Sequence, residues 1–190
     1  MLFWTIIAAA VAVALYAIVI FNRLVRLRQM VNEAWSGIDV QLKRRSDLVP
    51  NLVEAVKGYA THERSVLEEV TALRGAASEV PEGDVAGRSK VENALSAGLG
   101  KLIALAEAYP DLKASGNFLD LQKQLSALED DLQMARRYYN GAVRNLNVEV
   151  QSFPSSIIAA VGGFAPRDFF ELADAGDRST PQVQFNPAPT

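Results

Sequence analysis

The chain has 190 residues, no cysteine, one histidine, and 19 basic against 22 acidic side chains for a formal net charge of -3. Without cysteine there is no disulfide, thiolate metal site or thiol nucleophile, and an acidic balance with a pI near 5.3 leaves no basic excess for nucleic acid. Hydrophobic residues make up 49%. They crowd the amino end, and the remainder has the ordinary composition of one modest globular domain.

In Leu2–Phe21 only Thr5 is not hydrophobic. A helix over this stretch is about 30 Å long, the thickness of a bilayer's hydrocarbon core, and buries no charge. A cleaved signal peptide opens on Lys or Arg and places its small-residue site after a shorter apolar run. Met1–Trp4 has no basic side chain, and Ala10-Val11-Ala12 and Ala12-Val13-Ala14 lie inside the run. A pilin-like fibre helix lacks support for similar reasons, with neither a basic leader nor an early acidic residue. A retained span, with the lipid bilayer as its first partner, is the expectation. Arg23, Arg26 and Arg28 follow it, which places residues 22–190 on the cytoplasmic face of an inner membrane. Ala8 and Ala12 are four apart, as are Ala10 and Ala14, giving small faces where spans can associate into a homo-oligomer.

Beyond the span, Leu24, Val31, Ile38, Leu52, Val66 and Leu73 stand seven apart or multiples of seven, a helical stripe. Arg45 and Tyr59 fall on the same stripe, so the cation must snorkel to the edge or meet a carboxylate. Pro50 cannot donate to the carbonyl of Ser46, and Asp47 is a competent cap for a new helix. Two readings stay open. The unbroken phase favours one long kinked helix, whereas the near-equal lengths of Asn22–Arg45 and Leu48–Leu73 favour a reversal at Ser46–Val49.

Gly75–Asp84 reads as a loop with Asp84 as the next cap, followed by a helix Val85–Tyr109 that carries Val91, Leu95, Leu99, Leu102, Ala106 and Tyr109 at helical steps. Gly98 and Gly100 inside it point to close helix packing. They are no phosphate loop, because Leu102 stands where Ser or Thr is required. After Pro110, Asn117 and Asp120 resemble a capping box. The seam Phe118, Leu121, Leu125, Leu128, Leu132, Ala135, Tyr139, Ala142 and Leu146 is coiled-coil-like. Pro154 closes that helix, and a short one fits Ser155–Val161 before Gly162-Gly163. Phe164, Phe169 and Phe170 can cover the bundle, meet the membrane surface or add oligomer contacts. Residues 173–190 read as a flexible tail in which Pro181–Phe185 alternates like a strand.

No catalytic, metal or cofactor site emerges. His62-Glu63 begins like a zinc-protease helix, but Val66 stands where the second histidine belongs, and a di-iron bundle or a serine triad fails for want of histidines or a nucleophile elbow. The polar residues Arg45, His62, Glu63, Arg136, Arg137 and Asn140 lie on or beside the apolar stripes. Either they form an internal network that fixes bundle register, or they line a polar groove for a partner.

The chain resembles the LemA family of bacterial membrane proteins. The likeness rests on Asn22-Arg23-Leu24-Val25, on Ile38 through Val53 (IDVQLKRRSDLVPNLV), and on Val56-Lys57-Gly58-Tyr59 with His62-Glu63. It continues in Tyr109 through Ala114 (YPDLKA), Arg137-Tyr138-Tyr139-Asn140 and Ser152-Phe153-Pro154. It covers residues 1 to about 170 and leaves the tail outside. The resemblance implies one amino-terminal span and a four-helix up-and-down bundle, which tips the Pro50 question toward reversal. It also implies no catalytic residues, and the family includes a relative associated with magnetosome membranes. The expected architecture is therefore all-α: a transmembrane helix (1–21), an antiparallel helical bundle (22–153) of four helices or of three with a kink at Pro50, a short helix with an aromatic segment (154–172), and a tail (173–190). The expected role is a membrane-anchored scaffold, or an adaptor that presents the bundle to another membrane protein such as a protease or transporter.

Overall fold

The computed structural model describes residues 1–60 and 63–171. His62 and the tail from 173, with its strand-like Pro181–Phe185, lie outside the described residues. The elements are α1 (Leu2–Lys57), α2 (Arg64–Glu79), α3 (Val85–Glu107), the single turn α4 (Pro110–Lys113), α5 (Gly116–Gln151) and α6 (Ser155–Val161), with no strand among the described residues.

Side-chain pairs fix the topology. Arg23 meets Glu149 and Arg45 meets Glu129, so α5 runs antiparallel to α1. Arg74 of α2 reaches back to Ser46, and Lys101 of α3 pairs with Glu69 of α2. The result is the expected up-and-down bundle of four long helices, α1, α2, α3 and α5.

The first reversal lies elsewhere than the segment lengths and the resemblance place it. α1 continues through Pro50 to Lys57, and the chain turns between Gly58 and Glu63. Pro50 keeps its ring on the exposed side of the helix. The seven-residue phase across Pro50 agrees with the continuous helix, but the same phase also runs across the true turn to Val66 and Leu73, so phase alone does not separate a kink from a reversal. Two smaller corrections follow. α2 passes through Gly75 to Glu79, and α5 starts at Gly116 after Ser115 with no side-chain cap, so Asn117 lies inside the helix. The cap at Asp84 is formed: its Oδ1 accepts from the Gly87 N–H at 2.8 Å, entered through Gly83 at φ 89°.

The buried side chains fall into two apolar clusters. One joins Ile20, Leu24, Val31, Ile38 and Leu42 of α1 to Leu132, Tyr139, Leu146 and Val150 of α5. The other joins Leu48, Leu52 and Val56 of α1 to α2, α3 and the lower half of α5, with Leu112 of α4 as a plug. Gly98 serves close packing as expected, since a Cβ there would lie 3.2 Å from Leu73 Cδ1; at Gly100 it would meet nothing within 4 Å.

Towards the amino end α1 leaves the bundle. From Leu2 to Val19 nearly every side chain is exposed, and Ile20 is the first to be buried. This is the one helix among the described residues long and apolar enough to cross a membrane. It enters the bundle with no break in the backbone.

Candidate functional site

A charged layer separates the two apolar clusters. On α1, Arg45 lies between Leu42 and Leu48 and is 1% exposed. Its Nη1 donates to Glu129 Oε1 at 2.7 Å and to Ser96 Oγ at 2.6 Å, and its Nη2 donates to the carboxylate and the carbonyl oxygen of Glu92. Arg88 donates from Nε to the other Glu92 oxygen at 2.8 Å. One guanidinium thus ties α1 to α3 and α5 at mid-bundle. Nη1 and Nη2 each reach a carboxylate, the stronger kind of hydrogen bond, while Nε meets no acceptor among the described residues.

Arg136 sits two turns beyond Glu129 on α5, also buried. Burial above all, and then the neighbouring charge of Arg45, holds its guanidinium below the usual arginine range; Glu129 and Glu92 oppose both. It nonetheless stays charged at neutral pH. Its Nε and Nη2 meet no acceptor among the described residues, and the guanidinium instead lies 4.9 Å over the ring of Phe170.

Phe170 belongs to a strap, residues 164–171, laid across α5. Asn140 exchanges two hydrogen bonds with the backbone of Phe170, at 2.9 and 3.1 Å, and Asn147 does the same for Arg167, at 2.8 and 2.9 Å. Ser89 and Asn93 of α3 hold the carbonyl of Glu171. At the other end Phe164 packs edge-on against Phe21 at 5.5 Å beneath Arg28.

Of the six polar residues singled out by sequence, the structure brings only Arg45 and Arg136 together. Asn140 holds the strap, Arg137 is exposed, Glu63 is half-buried at the head of α2, and His62 lies outside the described residues. Glu92, Glu129 and Ser96 complete the layer and are absent from the sequence reading. Glu92 had a signal: it precedes Leu95, Leu99 and Leu102 at helical steps, one position off Val91. Of the aromatic oligomer candidates, Phe164 and Phe170 are spent inside the protomer at 7% and 1% exposure, which leaves Phe169 at the surface. Ala8 and Ala12 are exposed on the free part of α1.

Chemically, the layer can hold three helices in one register, because a slip of one turn would strand Arg45 or Glu92 in an apolar core. Beside it a cleft of about 550 Å³ opens between Trp35, Asp39, Arg88, Tyr139 and Arg167.

The LemA family profile matches residues 34–185. The match therefore starts inside the bundle and runs into the tail, further than the resemblance read from the motifs. The chain is 25% identical to magnetosome protein MamQ 2 of Paramagnetospirillum magneticum, over 86% of this chain and 70% of that protein. It is 24% identical to magnetosome protein MamQ of Magnetospirillum gryphiswaldense over the same shares. Protein LemA of Metamycoplasma hominis is 29% identical, over 73% of this chain and 63% of its own length. A family match over most of the chain, on a helical bundle that continues an apolar amino-terminal helix, makes this protein a member of the LemA family.

Proposed function

We propose that the protein is a non-catalytic, membrane-anchored scaffold that self-associates at the inner membrane with its bundle on the cytoplasmic face. The observation that carries this reading is the continuity of α1: one helix of 56 residues is free and apolar at its start and forms a wall of the bundle at its end. At 1.5 Å per residue it is about 84 Å long. With no hinge between the parts, association of spans through Ala8 and Ala12 sets the spacing and facing of the bundles. Confinement in two dimensions raises their effective concentration, so weak contacts such as Phe169 add to those of the span. The arginines after the span favour the cytoplasmic side. The relatives named as magnetosome proteins support a membrane-associated role.

The adaptor reading has one observation in its favour, an open groove of about 670 Å³ between α1 and α2 lined by Val53, Lys57, Arg64, Leu67 and Thr71. It lies at the end of the bundle away from the span. Size analysis in mild detergent separates the two. A scaffold gives large homogeneous particles from the protein alone and loses them on Ala8→Leu with Ala12→Leu. A small species that copurifies with another membrane protein supports the adaptor and counts against the scaffold.

A further inference from the structure

α6 turns Ser155, Ile158 and Ala159 towards the bundle and leaves Ile157 and Val161 exposed. Ser155 and Ala159 face the bundle at 5% and 1% exposure, while Ile157 and Val161 stand 55% and 86% exposed. Phe153, four positions before Ile157, is 83% exposed. No residue from 152 to 166 carries a charge. A surface helix of a soluble bundle keeps its outward face polar, whereas the outward face of α6 is apolar.

The position of α6 explains the apolar outer face. Its inner face shares the core cluster of Ile20 and Leu24, the first buried residues below the free apolar part of α1. Phe164, which follows α6, touches Phe21, the last residue of the span. Just past this level come Arg23, two-thirds exposed beside Glu149, and Arg26, also exposed. α6 thus lies beside the end of the free apolar part of α1, with Arg23 and Arg26 just past it.

We infer that the Phe153, Ile157 and Val161 face is seated in the interfacial layer of the bilayer, a second attachment beside the span, with the arginines of α1 drawing it to anionic headgroups. The bilayer is chosen over a protein occupant because α6 is packed at the end of the span, with Phe164 on Phe21, and its outer face carries no charge or hydrogen-bonding side chain to specify a partner. A single helix leaves the bundle free to rotate about the membrane normal. Two contacts fix which side of the bundle faces the membrane and which faces a neighbour. The inference rests on the reading of Leu2–Phe21 as a span.

The absence of cysteine allows the test. Single-cysteine variants Phe153→Cys, Ile157→Cys and Val161→Cys of the full chain carry an environment-sensitive nitrobenzoxadiazole label and are reconstituted in phosphatidylcholine vesicles with phosphatidylglycerol. Ala10→Cys and Lys123→Cys are the references. The expected result is blue-shifted emission at the three sites that is quenched by lipids brominated near the headgroup. Ala10→Cys should be quenched by deeply brominated lipids and Lys123→Cys by neither. Water-like, unquenched emission at Ile157→Cys and Val161→Cys with Ala10→Cys still quenched overturns the inference alone. An unquenched Ala10→Cys overturns the span reading beneath it. Labels that are shielded from aqueous iodide but not quenched by any lipid, and that lose shielding on dilution of protein in lipid, show a second copy on this face and overturn the lipid assignment.

Discussion

Arg74 Nε donates to the carbonyl oxygen of Ser46 at 2.8 Å, and Ser46 is the residue whose carbonyl Pro50 leaves without its helical donor. A side chain of α2 thus repairs the defect in α1. The repair lets α1 run through a proline, and it needs α2 to be folded back against α1, so the turn at Gly58–Glu63 and the continuity at Pro50 support each other.

Arg74→Ala should therefore cost about 1–3 kcal/mol, the desolvation of a half-buried carbonyl left unmade. In a Pro50→Ala background the backbone N–H returns and the same change should cost clearly less. Urea unfolding of the four proteins in mild detergent, followed by helical ellipticity, gives the coupling. Equal costs in both backgrounds would mean that Arg74 acts through packing and not through Ser46.

The charged layer makes a second prediction. Arg45→Met leaves Glu92 buried at mid-bundle with only Arg88 as partner, and should destabilise by about 3–5 kcal/mol. Arg45→Met together with Glu92→Leu should cost less than Arg45→Met alone, because replacing both members by apolar groups removes the uncompensated charge. If the double variant falls by the sum of the single losses, the pair is not the unit that matters. Partner binding measured on the same variants separates register from recognition: intact fold with lost binding assigns the layer to a partner.

Tyr139 sets a limit at alkaline pH. Its ring is 2% exposed and edge-on to Trp35, and its hydroxyl donates to the Asp168 carbonyl at 3.0 Å. Burial raises its pKa above the ordinary value of about 10, Arg167 opposes the rise and Asp168 adds to it. The folded protein then keeps a proton that the unfolded chain releases. This contribution to stability is fully present below about pH 10 and is lost as pH rises towards the folded pKa. Thermal midpoints between about pH 8 and about pH 11 should fall less steeply for Tyr139→Phe than for the natural chain. Parallel slopes would place the alkaline loss elsewhere.

What was legible in the sequence was whatever one helix can report about itself. The seam of α5 is buried at Phe118, Leu125, Leu132, Tyr139 and Leu146 as its spacing requires, and heptad arithmetic on α1 alone puts Arg45 on the buried stripe, where it must either snorkel to the edge or meet a carboxylate. Which of the two occurs, and with which carboxylate, does not follow. Glu92 and Glu129 lie 47 and 84 positions away, on helices whose rotation is set only by packing, and a one-residue error in phase turns buried Glu92 into Val91. The turn after Gly58 was hidden because Val66 and Leu73 happen to stay in step with α1 across it. The strap was invisible for another reason: Asn140 and Asn147 act on backbone groups, which leave no pattern of side chains to read.

Those two asparagines supply the last prediction. They stand seven apart on α5, each offering an amide that donates to a strap carbonyl and accepts from the N–H of the same residue, as a neighbouring strand would. Their surroundings differ. The Asn140 bonds are part-buried, and Phe170 behind them is 1% exposed, packed under Arg136 and against Trp35. The Asn147 bonds to Arg167 are exposed, so water can replace them. Asn140→Leu should cost about 1–3 kcal/mol by leaving two backbone groups unpaired, and Asn147→Leu about 0.5 kcal/mol or less. Amide hydrogen exchange is the sharper readout. Asn140→Leu should lower protection at Phe170 while the α5 core around Leu132 and Leu146 keeps its protection, since the strap opens before the bundle does. Once the strap lifts, Arg136 loses the ring that covers it, so a label-accessible surface should appear at mid-bundle in the same variant. Unchanged exchange at Phe170 would mean that the aromatic anchors hold the strap without Asn140.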